Sequence, residues 1–136
     1  MTRRMLHHVS LGVSDIARSA RFYDAVLAPL GYTRVWEDLR PGGSDQAIGY
    51  GCTGSGDELA IKETRRPDPA AVRGSHVAFA APTREAVQGF HAAAMANGGA
   101  DNGPPGPRPQ YGEDYYAAFV VDPDGHRIEA VVDVPS

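Results

Sequence analysis

"HVSLGVSDIARSARFY", residues 8–23, returns as "HVAFAAPTREAVQGFH" at residues 76–91. The copies share the opening His-Val pair and place Phe22 and Phe90 at the same point, and one half of the 136-residue chain separates His8 from His76. Each copy reads as a short alternating strand, a polar helix start and a helix. In the first, Ser14 or Asp15 can cap, Ile16, Ser19, Phe22, Tyr23, Val26 and Leu30 form one helical stripe, and Pro29 with Gly31 ends it. In the second, Thr83 caps, Val87, Phe90 and Ala94 form the stripe, and Asn97-Gly98-Gly99 ends it. Each helix is expected to run about four turns.

Three further strand candidates follow each helix. They are "YTRVWED" (32–38), "QAIGYG" (46–51) and "ELAIKE" (58–63), then a weak one near Ala100, "YYAAFVV" (115–121) and "RIEAVV" (127–132). The order βαβββ therefore occurs twice, an α+β chain of two modules spanning about 1–68 and 69–136. "RPGGSD" (40–45), "GCTGSG" (51–56), "RRPDPAAVRG" (65–74) and "NGPPGPRPQYGED" (102–114) read as loops, the last too rich in proline for helix or central strand. Neither half alone buries much core, so the two modules are expected to form one domain.

A net charge of −4, from 13 basic and 17 acidic residues mixed along the chain, provides no basic footprint for nucleic acid and no polybasic membrane patch. Cys52 is the single cysteine, so there is no disulfide framework, and "MTRRMLHHVS" lacks the apolar stretch of a signal peptide. No apolar run approaches the roughly 20 residues of a membrane span. A cytoplasmic protein with neither nucleic-acid nor membrane partners is the expectation.

Alternation assigns the strand faces. Val9, Leu11 and Val13 share one face of the first strand and Val77, Phe79 and Ala81 one face of the fifth; these pack on the helices. His8 and His76 then project from the opposite face at equivalent points, among small neighbours. In "DPDGHRIEAVV" (122–132), Ile128, Ala130 and Val132 take the apolar face and Glu129 the open one. Aligning Gly125 with Gly56 sets Glu129 against Ala60, flanked by Glu58 and Lys62.

If the sheets curl toward one another, His8, His76 and Glu129 converge as a two-histidine, one-carboxylate set suited to Mn, Fe(II), Ni, Co or Zn, with positions open for substrate. Taken singly, each residue has a structural reading: a strand histidine is ordinarily a hydrogen-bonding group, and Glu129 has Arg127 two residues away. The coincidence of all three favours a metal, because an unpaired buried carboxylate is costly. His7, His91 and His126 read as surface residues, and Asp122 and Asp124 as makers of their own turn. Lys62, Tyr50, Arg108, Tyr115 and Tyr116 lie near the open face and are candidates to line a substrate cavity; Lys62 also reads as a solvated strand-edge lysine.

"HHVSLGVSDIARSARFYDAVLAPLGY" (7–32), "GSHVAFAAPTREAVQGFHAAAMANGG" (74–99) and "YYAAFVVDPDGHRIEAVV" (115–132) together resemble the vicinal oxygen chelate superfamily, across essentially the whole chain. That group includes glyoxalase I, fosfomycin-resistance transferases, extradiol dioxygenases and bleomycin-resistance binding proteins. The resemblance implies paired βαβββ modules whose mixed sheets curl into a cup around one divalent metal ion, commonly in a homodimer whose cup combines modules of two chains. It maps the metal ligands to His8, His76 and Glu129 and the fourth-strand ligand slot of glyoxalase I to the neighbourhood of Ala60, with Glu58 as the alternative. An alanine there departs from glyoxalase I and is closer to the three-ligand pattern of the transferases and dioxygenases. The implied function is a metal-dependent enzyme acting on vicinal oxygens of a small substrate as lyase, isomerase, transferase or dioxygenase, with Glu129 or Glu58 as its base. The rival is a non-catalytic binder of the bleomycin-resistance type.

Overall fold

In the computed structural model, residues 5–65 and 74–135 are described. The first module holds β1 (Val9–Val13), α1 (Ile16–Leu27), β2 (Thr33–Asp38), β3 (Ala47–Gly51) and β4 (Leu59–Glu63). The second repeats the order with β5 (His76–Ala80), α2 (Arg84–Ala96), β6 (Ala100–Pro107), β7 (Tyr115–Val121) and β8 (Arg127–Asp133). Each module is a four-stranded mixed sheet, ordered β1-β4-β3-β2 and β5-β8-β7-β6, in which the first strand pairs parallel with the fourth and the remaining pairs are antiparallel. The two ladders are separate and do not close into one barrel. This is the α+β, two-module architecture expected from the repeat.

Local chemistry sets the helix ends where the sequence places them. The Asp15 carboxylate accepts the Arg18 N–H and the Thr83 hydroxyl accepts the Ala86 N–H, each satisfying an orphan donor of the first turn. After α1 a short 3₁₀ turn, Ala28–Leu30, carries Pro29 and stops at Gly31, whose φ of 91° is open to glycine at no steric cost. One buried cluster runs through both modules, with Phe22, Tyr23, Val26 and Leu27 of α1 and Val87, Phe90 and Ala94 of α2 at its centre. The helices pack against each other closely enough that a Cβ on Gly89 would lie 3.0 Å from the Pro29 side chain.

The turn between β7 and β8 locks the modules together. Tyr23 donates its hydroxyl to Asp122 Oδ2 at 2.6 Å, while Asp122 Oδ1 accepts the N–H groups of Asp124 and His126. Asp124 in turn accepts from the Ser14 N–H and hydroxyl, from Arg18 and from Ser19, at the start of α1. These aspartates thus do more than shape their own turn: they hold it to the other module. Two histidines expected on the surface are half-buried instead. His126 donates to the Gly12 carbonyl at 2.6 Å, and His91 pairs with Asp101 at 2.9 Å.

A second correction concerns the proline-rich stretch. Residues up to Pro107 belong to β6, not to a loop. The reason is position: β6 is the sheet edge, where a missing N–H costs no ladder bond, and its register shifts at Gly103 and Gly106 absorb the irregularity. Of the loop expected over 65–74, residues 66–73 lie outside the described residues.

Candidate functional site

Register determines what the second module presents on the face away from α2. Ala78 pairs with Glu129 and Phe119 with Glu129 on its other side, while Tyr115 pairs with Asp133. Directly paired residues share a face, so His76, Ala78 and Ala80 of β5, Glu129 of β8, and Tyr115 and Phe119 of β7 stand together. Ala78 and Ala80 leave the space in front of the sheet open.

Glu129 is only 2% exposed. Such burial is tolerated because both oxygens have donors: His76 Nε2 stands 3.1 Å from Oε1, and the Tyr115 hydroxyl donates to Oε2 at 2.5 Å. Burial, then the hydrogen bond to Glu129, pushes the Tyr115 hydroxyl up to about 12, so it keeps its proton at neutral pH. The Tyr111 ring meets that of Tyr115 edge-on at 5.4 Å. Neighbouring Tyr116 points the other way, its hydroxyl accepting from Gln88 and its ring under Arg84.

The His76–Glu129 geometry fits a divalent cation. Two ligands each bound at roughly 2.1 Å with a right angle between them are separated by roughly 3 Å, and the observed spacing is 3.1 Å. One imidazole and one carboxylate are a donor set for Zn, Fe(II), Mn, Co or Ni. Among the described residues of one chain, however, no group of three or more His, Cys, Asp and Glu comes together. His8 is not joined to the pair. It sits at the exposed start of β1, its Nδ1 2.9 Å from that of His7, and lines a cavity of about 280 Å³ at the module junction with Val77, Ala78, Phe79 and Ala80.

The open face of the first module is chemically poorer. Ser10 pairs with Ala60 as Ala78 pairs with Glu129, so Ala60, not Glu58, occupies the slot equivalent to Glu129. Glu58 corresponds to Arg127. Lys62, exposed and paired with Gly12 and Ala47, borders a shallow groove with Ser10 and Arg65 on this face. Tyr50 is placed otherwise than expected. It alternates with Gly49 onto the helix side, is 1% exposed, and donates its hydroxyl to Asp24 at 2.9 Å. From there it reaches the junction cavity and not the open face.

Two aromatic walls went unread in the sequence. Trp36 lies over Gly49, where a Cβ would fall 2.1 Å from its ring nitrogen, and Phe119 lies over Gly103. The signal was present in the alternation of Phe119 with Tyr115 and in the glycines opposite. Arg108 completes this face, its guanidinium 5.4 Å above the Phe119 ring.

A family described as the Glyoxalase/Bleomycin resistance protein/Dioxygenase superfamily matches residues 5–130. Among solved structures, the chain is similar to a glyoxalase/bleomycin resistance protein from Albidiferax ferrireducens T118, at 33% identity and TM-score 0.70, over 94% of this chain and 98% of that one. It shares its fold with a glyoxylase/bleomycin resistance protein/dioxygenase domain from Frankia sp. EAN1pec, at 17% identity and TM-score 0.71, over 98% and 100%. The fold also matches a V278E glyoxalase I mutant from Zea mays at 22% identity and TM-score 0.66, over 93% of this chain and 45% of the maize one. No protein of curated function matches. With a family match over nearly all of its length, on a doubled βαβββ frame whose second open face pairs a histidine with a buried glutamate, the chain belongs to the Glyoxalase/Bleomycin resistance protein/Dioxygenase superfamily.

Proposed function

We propose that the protein is a divalent-metal-dependent enzyme acting on two neighbouring oxygens of a small substrate, with His76 and Glu129 as ligands from one chain and His8 supplied by a second copy in a homodimer. The reading is carried by one observation: an imidazole nitrogen and a buried carboxylate oxygen held 3.1 Å apart on an open sheet face. When bound, the cation supplies Lewis acidity to the substrate oxygens. Everything else falls to the chain. Glu129 is held by Tyr115 on Oε2, leaving Oε1 directed at His76. The Tyr115 hydroxyl, still protonated at neutral pH, keeps its one O–H on Glu129 Oε2 and so fixes the orientation of the carboxylate. Glu129 is also the carboxylate to take a proton, and the Phe119 ring, on the same face, lines the place of the substrate. Lys62, exposed on the open face of the first module, is a positive charge for an anionic substrate group.

The test is metal analysis of purified protein reconstituted with Mn, Fe(II), Ni, Co or Zn, beside His76→Ala, Glu129→Gln and His8→Ala. Wild type is expected to retain one equivalent per site and all three variants to lose it. Retention by the first two overturns the site; retention by His8→Ala alone overturns the shared, dimeric part. A second reading, a binder that sequesters an aromatic ligand against Phe119, is favoured by the place of that ring on the open face and predicts ligand binding unchanged by Glu129→Gln.

A further inference from the structure

Arg108 is paired with no carboxylate among the described residues. Nη2 donates to the Pro104 carbonyl at 2.6 Å and Nη1 to that of Pro107 at 3.3 Å. A guanidinium has five donors, so these bonds leave most of the fork unused. Its place is built by two glycines: an added Cβ would lie 3.2 Å from Nη1 at Gly106, and 3.3 Å from Nη2 at Gly103. Phe119 supplies the floor, its ring 5.4 Å below Cζ, within cation–π range. A half-buried arginine clamped by carbonyls, seated on an aromatic ring and lacking a counter-ion among the described residues is organised to receive an anion.

Its distance from the reacting end follows from the sheet. Gly103 pairs with Phe119 and Phe119 with Glu129, so two strand spacings, about 10 Å, separate the backbone of the arginine seat from that of Glu129. Allowing roughly 3 Å of contact at each end leaves room for a linker of about three carbons.

We propose that Arg108 binds a carboxylate at the far end of the substrate, making the substrate class a short acid with vicinal oxygens at one end and a second carboxylate about three carbons away. The inference rests on the reading that His76 and Glu129 hold the reacting end. Planar, bidentate pairing distinguishes this recognition from what a lysine offers.

Two probes with the same head test it: 2-oxoglutarate, which carries the distal carboxylate, and 2-oxovalerate, which does not. Calorimetric titration into the full chain with Mn(II) present is expected to show 2-oxoglutarate binding roughly 10- to 100-fold more tightly. Arg108→Gln should erase that preference while leaving 2-oxovalerate affinity unchanged, in a chain that still unfolds in one cooperative transition. Gly106→Ala, which keeps the arginine but puts a methyl group against its Nη1, should reduce the preference part-way, and its φ is not in the positive range that would strain an alanine. Equal affinities in wild type, no binding of either probe, or a preference that survives Arg108→Gln overturns the assignment. The metal reading fails separately, through Mn(II) binding that survives His76→Ala.

Discussion

The two modules share a scaffold and diverge on one face. On their helix sides they are near copies: Phe22 and Phe90 occupy the same helical position, both fully buried, and Asp15 and Thr83 cap in the same way. On their open sides, Ala60 stands where Glu129 does, and the large aromatic has moved from Trp36 on β2, over a glycine of β3, to Phe119 on β7, over a glycine of β6. Helix-side residues are constrained by close packing, in which a lost methylene is felt. Open-side residues are free of the helix packing, and there the duplicated halves differ.

If the helix sides are equivalent, Phe22→Ala and Phe90→Ala should each cost about 3–5 kcal/mol. Urea unfolding measures both, and a large loss in one with little in the other would break the equivalence. Next in size is the lock between modules. Asp122→Ala strands the Tyr23 hydroxyl and two backbone N–H groups and should cost about 3 kcal/mol. Its effect should be matched by no substitution at the corresponding Cys52 of the first module, which is exposed.

The open sides should respond asymmetrically. Ala60→Glu places a carboxylate at a buried position whose counterpart of Tyr115 is Asp45, so the donor that holds Glu129 is missing, and a loss of about 2 kcal/mol is expected. Glu129→Ala should change stability by less than about 1 kcal/mol, since removal also relieves the burial of charge. Equal effects would mean that the Tyr115 and His76 contacts contribute nothing to tolerating Glu129. The smallest effect is pH-dependent. Burial raises Asp122 above its ordinary 3.8, against the opposing pull of its hydrogen bond from Tyr23. Its contribution is therefore fully present below that ordinary value and is lost as pH rises through the raised one. The stability of Asp122→Asn relative to wild type should accordingly rise between about pH 3 and pH 7; a flat difference contradicts the burial account.

Repetition and alternation made the fold readable. The His-Val start, the period of the helical stripes and the glycine stops at Gly31 and Gly98 placed both helices and all eight strands, because each is a local signal. The extent of β6 shows the limit: whether Pro104, Pro105 and Pro107 are tolerated within it depends on lying at a sheet edge, which is a tertiary fact. The same holds for Asp122 and Asp124, whose turn chemistry was local but whose partners Tyr23 and Ser14 lie in the other module. For the site, strand period put His76 and Glu129 on one face, and parallel pairing brought them into contact. Tyr50 was misplaced by proximity when its alternation with Gly49, in step with Ile48, already assigned it to the core. His8 depends on how modules meet, about which strand period is silent.

The central claim, that the second module's histidine and glutamate hold a cation, is tested most directly by NMR of the chain carrying ¹⁵N-labelled histidine, titrated with Mn(II). The account predicts that the His76 imidazole signals broaden first, that those of His8 follow when copies pair, and that those of His91 and His126, bonded elsewhere, survive. Broadening of His91 or His126 ahead of His76, or unchanged His76 signals at saturating metal, contradicts it.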